Sequence, residues 1–256
     1  MTGSLTIIHI TDCHLLADPE ACLHDWPVAA AFDHVLRQAL ERYPRADAII
    51  LGGDLVDDES PAGYKWLRQR LASIDKPVLA IAGNHDDPIN MPRWLAPIAV
   101  HDTLCLDGWR IVGLCSHRPG REDGRIDDAA LAELEARLAG DRSPTILAIH
   151  HPPLAIDCAW IDAIGLVDAE RVRTLIRRYS HIRGVLSGHV HQAYEGYIHG
   201  CPVWTTPSTM RQFRPNSSEF AEDAERWPGY RLLELAPNGS ITTRVHRCPT
   251  TPKPAS

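Results

Sequence analysis

Short apolar runs alternate with segments of helical spacing through most of the chain, and this alternation is the feature that most restricts the fold. The runs are β-branched or Leu-rich and occupy residues 5–10, 48–51, 78–82, 145–149 and 182–186. Each is short enough and apolar enough to predict a buried strand. Helices are predicted between them over 29–43, 62–73, 127–138 and 168–179, with Asp168 as N-cap of the last. Strands that alternate with helices predict an α/β fold with helical crossovers.

The sequence pattern changes after His189 from alternating strands and helices to successive short strands, with turns predicted at Gly200 and at 237–239. The last third is therefore expected to be β-rich, and the sheets to be mixed. We predict one domain over 1–248, because a chain of 256 residues can bury a single large core. Residues 249–256 are polar and Pro-rich and are predicted to be disordered.

Composition excludes several classes of protein. Hydrophobic residues make up 44% and charged residues 23% of the chain, as in ordinary globular proteins. The net charge of −7, with Lys and Arg scattered singly, disfavours duplex nucleic acid or an anionic membrane as partner. No apolar run is long enough to span a bilayer, and the first residues do not resemble a secretory signal, so a cytoplasmic location is expected. A homodimer is left open.

Polar side chains that can bind metals follow each predicted strand. The five groups are Asp12-Cys13-His14, Gly53-Asp54, Gly83-Asn84-His85-Asp86, His150-His151 and Gly188-His189-Val190-His191. Ligands in α/β proteins bind beyond the carboxyl ends of the strands, so we expect these groups to meet at one sheet edge. One such pair alone is more often structural, but five in sequence favour a single site.

The residue types in these groups indicate the kind of metal. The candidate ligands are Asp12, His14, Asp54, Asn84, His150, His189 and His191. Oxygen and imidazole ligands without thiolates suit Mn, Fe or Zn. Seven ligands exceed the need of one tetrahedral ion and fit two ions that share a carboxylate. Paired ions of this kind generate a hydroxide nucleophile and stabilise both oxygens in phosphoryl transfer.

The order D-C-H, G-D, G-N-H-D, H-H, G-H-V-H resembles the calcineurin-like metallophosphoesterase superfamily, whose pattern is DxH, GD, GNH(D/E), H, GHxH. Further segments, at 54–57, 150–153, 188–192 and 207–209 followed by Gln212-Phe213, resemble the bacterial class III 3',5'-cyclic nucleotide phosphodiesterases. This similarity extends from Ile7 to Arg247. The metal motifs are specific for the superfamily, whereas the 207–213 segment is less specific for the cyclic-AMP branch.

The resemblance implies a four-layer α-β-β-α sandwich and two metal ions. One ion would be held by Asp12, His14, Asp54 and His191, and the other by Asp54, Asn84, His150 and His189, with Asp54 bridging. The implied reaction is hydrolysis of 3',5'-cyclic AMP, or a related cyclic nucleotide, to the 5'-monophosphate by metal-bound hydroxide. The alternatives are another phosphodiester hydrolase, such as a glycerophosphodiester, nucleotide-pyrophosphate or phosphomonoester hydrolase, and an inactive nucleotide-binding regulator.

The resemblance also implies roles around the phosphate. His85 would donate to a phosphate oxygen and protonate the leaving 3'-oxygen, with Asp86 holding its tautomer. Asp54 would help to deliver the nucleophile, and Asn84 and His85 would contact the substrate. His151 either contacts the substrate or is structural.

Other residues have two readings each. Arg118 and Arg121 could close over a phosphate or lie in a solvated loop. Trp160 and Phe213 could stack on a purine or pack at the rim. Cys13, where many relatives carry Thr or Ser, is expected to be a buried hydrophobe rather than a redox switch.

Overall fold

Two six-stranded mixed sheets form the centre of the protein in a computed structural model that describes residues 3–249. The strands are β1 (Leu5–Ile10), β2 (Ala48–Leu51), β3 (Val78–Ala80), β4 (Ala99–Val100), β5 (Thr103–Leu106), β6 (Trp109–Leu114), β7 (Thr145–Ile149), β8 (Ile182–Ser187), β9 (Tyr194–Ile198), β10 (Cys201–Thr205), β11 (Gly229–Leu235) and β12 (Ile241–Arg247). The helices are α1 (Val28–Arg42), α2 (Pro61–Leu71), α3 (Met91–Leu95), α4 (Asp128–Gly140), α5 (Ala159–Asp162) and α6 (Ala169–Arg178).

The strand order places the carboxyl ends of both sheets at a common edge. The first sheet has the order β12-β11-β1-β2-β3-β4, and the second has the order β5-β6-β7-β8-β10-β9. The strands β1, β2 and β3 are parallel, as are β6, β7 and β8. Strands β11 and β12 are antiparallel additions, which the β-rich last third predicts. Each parallel crossover uses a helix or a long loop, as such connections require.

The buried side chains separate into layers. Along β1, Ile7 faces the second sheet and Ile8 faces the helices, because successive side chains of a strand point to opposite faces. Helices α1 and α2 cover the first sheet with Phe32 and Leu67, and α4 and α6 cover the second with side chains such as Leu134. The molecule is thus the four-layer α-β-β-α sandwich that the resemblance implies.

Most predicted elements are present with ends shifted by one to three residues. The sequence analysis missed the hairpin of β5 and β6, although Asp107-Gly108 between two apolar runs is a hairpin signal and Gly108 has φ +86°. Asp168 precedes α6 as predicted, but its side chain makes no capping hydrogen bond and pairs with Arg125 instead. The N-cap position is therefore confirmed, without the side-chain hydrogen bond that often accompanies it.

Two other predictions concern the chain outside these elements. Of the predicted tail 249–256, residues 250–256 lie outside the described residues. Between residues 3 and 249, no helix combines the length and the apolar character that crossing a bilayer demands. The seven cysteines all lie among the described residues and are free thiols.

Candidate metal centre

The loops after β1 and β2 bring the first three candidate ligands together. The two loops remain paired beyond the strands, because the Asp12 amide donates to the Gly53 carbonyl and the His14 amide donates to the Asp54 carbonyl, both at 2.9 Å. Nε2 of His14 lies 3.8 Å from Oδ2 of Asp54. The backbone ladder therefore places Asp12, His14 and Asp54 on one wall of the site.

The loop after β8 completes this half of the site with His191. Its Nε2 lies 3.1 Å from Nε2 of His14 and 3.6 Å from Oδ1 of Asp12. The Nδ1 atoms of both rings donate elsewhere, that of His14 to Asp57 and that of His191 to the Arg211 carbonyl. In the neutral rings both Nε2 atoms then carry lone pairs. Two lone pairs this close repel each other, and a cation between them removes the repulsion.

The second half of the site lies on the other side of Asp54. Oδ2 of Asp54 lies 3.2 Å from Nε2 of His150, outside hydrogen-bond geometry. Nδ1 of His150 donates to the Gly52 carbonyl at 2.8 Å. Oδ1 of Asn84 lies 3.0 Å from Nδ1 of His189, whose Nε2 donates to the Ile164 carbonyl. Each ring thus directs its free nitrogen into the site.

Backbone strain is concentrated at this centre. Positive φ angles occur at five of the candidate ligands, namely Asp12, His14, Asp54, His189 and His191. Non-glycine residues seldom adopt this conformation, and it persists where the surroundings enforce it. A Cβ atom on Gly83 would lie 2.1 Å from Oδ1 of Asp54, so only glycine allows the loop after β3 to approach the carboxylate.

The polar atoms of the centre fit cations. Oδ2 of Asp12 and Nε2 of His150 are buried without a hydrogen-bond partner, which is costly unless a ligand satisfies them. Burial raises the pKa of Asp12 to about 6 and lowers the pKa of His189 to about 3, so the His189 imidazole is neutral, as a metal ligand must be. Burial opposes a charge on His150, but the carboxylates of Asp54 and Asp12 outweigh burial and raise the pKa of His150 to about 9, so a cation there would replace the proton on its ring. Burial alone would raise the pKa of Asp54, but His150, His14 and His85 hold it well below its usual range.

His85 lies beside this centre with an open face. Its side chain is 42% exposed, and its Nδ1 lies 3.1 Å from Oδ1 of Asp57. Burial of the ring opposes its positive charge, but the hydrogen bond to Asp57 and the charge of Asp54 outweigh burial and raise the pKa of His85 to about 9. The ring can therefore donate a proton from Nε2 to a ligand above the candidate metals.

The predicted pairing of Asp86 with His85 was wrong. Asp86 is fully buried and accepts hydrogen bonds from the amides of Leu55, Val56 and Gly83 and from the Tyr64 hydroxyl. Its carboxylate therefore holds the loops after β2 and β3 together. Adjacent residues in a turn point in different directions. The carboxylate that contacts His85 belongs to Asp57, which lies in the loop after β2.

Asp57 is the residue that the sequence analysis missed. Asp57 lies at the end of the 54–57 segment, and its Oδ1 also accepts from Nδ1 of His14 at 2.7 Å. Its spacing of three residues after Asp54 on a tight loop was the available signal. One carboxylate oxygen thus joins a candidate metal ligand to the candidate proton donor.

His151 is a structural histidine, and the alternative of a substrate contact was wrong. The ring is fully buried, with Nδ1 bonded to the Ser116 hydroxyl at 2.8 Å and Nε2 bonded to the Glu122 carbonyl at 3.0 Å. Both nitrogens are therefore used, and the ring packs behind His150 and His189. It supports the ring of His189 from the side away from solvent.

The arginines near the site are held within their own loop. Arg118 and Arg121 both pair with Asp123, at 2.7 Å and 3.2 Å. Because both guanidinium groups are partly exposed and already paired, the structure favours a solvated loop over one that closes on a phosphate. Cys13 is fully buried, and burial raises the pKa of its thiol well above the usual range, as expected for a buried small hydrophobe.

The aromatic residues near the site do not lie free at the rim. Phe213 is 6% exposed and stacks on His191, with ring centroids 4.2 Å apart and planes 7° apart. Trp160 meets Phe213 and Phe220 edge-on. Phe213 therefore packs against a candidate ligand, and its face is not available to a purine.

Comparison with known proteins agrees with this geometry. The family described as calcineurin-like phosphoesterase matches residues 5–193. A Synechococcus protein named probable cyclic nucleotide phosphodiesterase is 38% identical over 95% of this chain and 92% of its own length. The 3',5'-cyclic adenosine monophosphate phosphodiesterase CpdA of Vibrio vulnificus is 35% identical over 96% of this chain and 90% of its own.

Solved structures share the fold at lower sequence identity. A dimetal phosphatase from Danio rerio superimposes with a TM-score of 0.65 at 15% identity, and the match covers 97% of this chain and 100% of that one. Purple acid phosphatase PPD1 from yellow lupin gives a TM-score of 0.67 at 13% identity over 97% of this chain and 52% of its own. The chain belongs to the calcineurin-like phosphoesterase family.

Proposed function

We propose that this chain is a metal-dependent phosphodiesterase that hydrolyses 3',5'-cyclic AMP to 5'-AMP. The observation that carries the proposal is the near full-length similarity to cyclic nucleotide phosphodiesterases, at 38% and 35% identity over at least 95% of this chain. The similarity includes the 207–213 segment, which lies beyond the part that the family match covers. The substrate is thus a small molecule, and membranes and duplex nucleic acid are not required.

The residues that would hold two metal ions are those brought together at the common sheet edge. Asp12, His14 and His191 would hold one ion, and Asn84, His150 and His189 the other. Asp54 would bridge, because its Oδ2 lies between the ring of His14 and the ring of His150. When bound, two ions of Mn, Fe or Zn supply Lewis-acid polarisation of the phosphate and activation of the attacking water.

His85 supplies the proton that the leaving 3'-oxygen needs. The oxygen of water bonds to phosphorus, the bond from phosphorus to the 3'-oxygen breaks, and that oxygen takes a proton from Nε2 of His85. One proton of the attacking water then restores the His85 ring through solvent, and the other is released or stays on the new phosphate, so that no net proton is consumed. Asp57 stabilises the charged ring before the transfer through its contact at Nδ1. The 42% exposure of the His85 side chain leaves room for the substrate. Asn84, next to His85 in sequence, would contact a phosphate oxygen as well as hold a metal ion.

The test is hydrolysis of 3',5'-cyclic AMP by metal-stripped protein after addition of Mn, compared with 2',3'-cyclic AMP and bis(p-nitrophenyl) phosphate. Formation of 5'-AMP at the highest kcat/KM of the three supports the proposal. Preferred turnover of the aryl diester or the 2',3'-cycle would assign the site to another phosphodiester. Failure to turn over any of the three would indicate the inactive regulator.

His85→Ala separates chemistry from metal binding. We expect it to bind the same amount of Mn as wild type and to lose about 100-fold or more in kcat, since a general acid contributes this much. His34 provides the matched control, because His34→Ala removes a half-buried histidine of α1 that is outside the candidate site. An active His85→Ala would contradict the proposed proton donor.

A further inference from the structure

His191 is held on three sides by residues 211–213, which follow β10. The Arg211 carbonyl accepts from its Nδ1 at 3.0 Å, and the Phe213 ring lies parallel to the imidazole at 4.2 Å. The Phe213 amide also donates to the His191 carbonyl at 3.3 Å. The first contact determines which nitrogen carries the proton, and the second limits rotation of the ring. Together they direct Nε2 towards Asp12 and His14.

Gln212, between these two residues, points away from His191 and makes the contacts that hold the segment. The side chain is 2% exposed. Its Nε2 lies 2.9, 3.0 and 3.2 Å from the carbonyl oxygens of Ser208, Met210 and Arg211, so its two N–H groups are shared among three acceptors. Its Oε1 accepts from Arg247 at 2.7 Å. Arginine has no acceptor, so this contact determines which way the amide faces.

The Arg211 carbonyl is the point at which the two sets of contacts meet. It accepts from the Gln212 amide on one side and from the His191 ring on the other. A buried carbonyl with two donors has little freedom to turn. Its direction is therefore set by Gln212, and the direction of the carbonyl sets the rotation of the imidazole.

The 207–213 segment also contacts the wall of the site that Asp12, His14 and Asp54 form. The Ser208 hydroxyl donates to the Asp12 carbonyl at 2.7 Å and accepts from the Met210 amide at 3.0 Å. Because Gln212 also donates to the Ser208 carbonyl, its amide is connected to Asp12 through Ser208 as well as to His191 through Arg211. Loss of the amide would loosen Asp12 and His191, which would hold the same ion.

We propose that Gln212 is a positioning residue for His191 and thereby for one of the two metal ions. It acts through the Arg211 carbonyl and the Phe213 ring and touches neither substrate nor metal. The inference rests on the proposed function, since it takes His191 to be a metal ligand. It assigns the 207–213 segment, which marks the cyclic-AMP resemblance, to metal holding rather than to recognition of the base.

The first experiment is a Mn titration of metal-free Gln212→Met, followed by electron paramagnetic resonance. Methionine has a similar volume and lacks the amide. We expect one of the two ions to bind about 10–100-fold more weakly, as is typical when a group that orients a ligand is lost. Gln192→Met is the matched control, because Gln192 is equally buried and adjacent to His191 but makes only a 3.5 Å contact with the Arg214 carbonyl. This control should bind both ions as wild type does.

The second readout does not involve metal. Long-range ¹H–¹⁵N spectra of the metal-free protein report the tautomer of each histidine, and His191 is assigned by the signal lost in His191→Ala. We expect the Nδ1–H signal of His191 to shift or disappear in Gln212→Met and to persist in Gln192→Met. A residue that only supported the fold would lower the unfolding temperature without moving this signal.

Phe213→Leu provides a second test of how His191 is held, should Gln212→Met fail to fold. It removes the parallel ring and keeps an apolar side chain, and Phe32→Leu in the helix-facing core is its control. Unchanged Mn affinity and an unchanged His191 signal in the folded variants would overturn the inference. If His191→Ala itself kept both ions, the proposed ligand set would fail instead, so the two failures are distinguishable.

Discussion

Oδ1 of Asp57 lies 3.1 Å from Nδ1 of His85. The same oxygen accepts from Nδ1 of His14 at 2.7 Å, so one carboxylate orients both a candidate metal ligand and the candidate acid. Burial opposes the charge of Asp57, but its contacts with the two histidines hold its pKa well below the usual range. The carboxylate is therefore ionised at neutral pH, where it stabilises a charged His85.

Replacement of Asp57 should reduce catalysis more than stability. We expect Asp57→Asn to lower kcat about 10–100-fold, because the amide cannot accept from both rings with the strength of a carboxylate. Steady-state kinetics and metal content measure the two effects separately. Asp58→Asn, the exposed neighbour, is the control and should stay near wild type. Wild-type kcat in Asp57→Asn would show that His85 does not depend on this contact.

Replacement of Asp86 should instead reduce stability. The two oxygens of Asp86 together accept from three backbone amides and a hydroxyl, and Asp86→Asn replaces one of them with an NH₂ group, so at least one buried donor loses its acceptor whichever way the amide faces. We expect a loss of at least about 3 kcal/mol in the free energy of unfolding, measured by urea denaturation. A variant with wild-type stability and a selective loss of kcat would restore the role first expected for Asp86.

Metal removal should destabilise the protein and stop hydrolysis together. Ions that bind only the folded state stabilise it by about 2.7 kcal/mol at a concentration of 100 Kd. We expect EDTA to lower Tm and Mn to restore it in wild type but not in Asp54→Ala, which should also lose kcat by about 1000-fold or more. Glu41→Ala, exposed on α1, should respond to Mn as wild type does. Mn-dependent stabilisation of Asp54→Ala would contradict the bridging role.

Acid should destabilise the protein partly through His101. Its Nε2 accepts from the Ala82 amide at 2.8 Å, and burial lowers its pKa to about 4. Because this value lies below the unfolded value of about 6.5, the unfolded state binds the proton first. The neutral His101 ring therefore contributes to the free energy of unfolding above pH 6.5. About 3 kcal/mol of this contribution is lost as the pH falls to about 4.

His101→Gln tests this pH dependence, because its side-chain oxygen can still accept from Ala82 but does not titrate. Between pH 6.5 and 4, the free energy of unfolding should depend less steeply on pH in this variant than in wild type. The difference in slope should correspond to about one bound proton. Urea denaturation at several pH values gives the slope. Parallel curves for the two proteins would exclude His101 as the group responsible.

Oxidation should not act through Cys13. The thiol is fully buried and its pKa is raised, and both features suppress reaction. We expect thiol reagents to label the exposed Cys22 and Cys105 in the native protein and to leave Cys13 unmodified. Mass spectrometry identifies the labelled positions. Rapid labelling of Cys13, with loss of activity that Cys13→Ser prevents, would support a redox role.

The sequence alone was sufficient for the five strands that lead into the candidate site and for the candidate metal ligands that follow them. An apolar run such as 145–149 can be recognised locally, since a buried parallel strand needs continuous apolar character. Carboxylates and imidazoles after each strand then have to meet, because the carboxyl ends of parallel strands share an edge. The hairpin of β5 and β6 was missed although its Asp107-Gly108 turn was visible.

Only the tertiary structure decided which side chain orients which. His85 is adjacent to Asp86 in sequence but is paired with Asp57, and His151 turns away from the site while His150 faces it. Periodicity and motif order describe neighbours along the chain, whereas a hydrogen bond depends on the direction of two loops that leave different strands. The residues of the centre were thus determined by the sequence. The partners that hold each ring in place were decided by the packing of those loops across the two sheets.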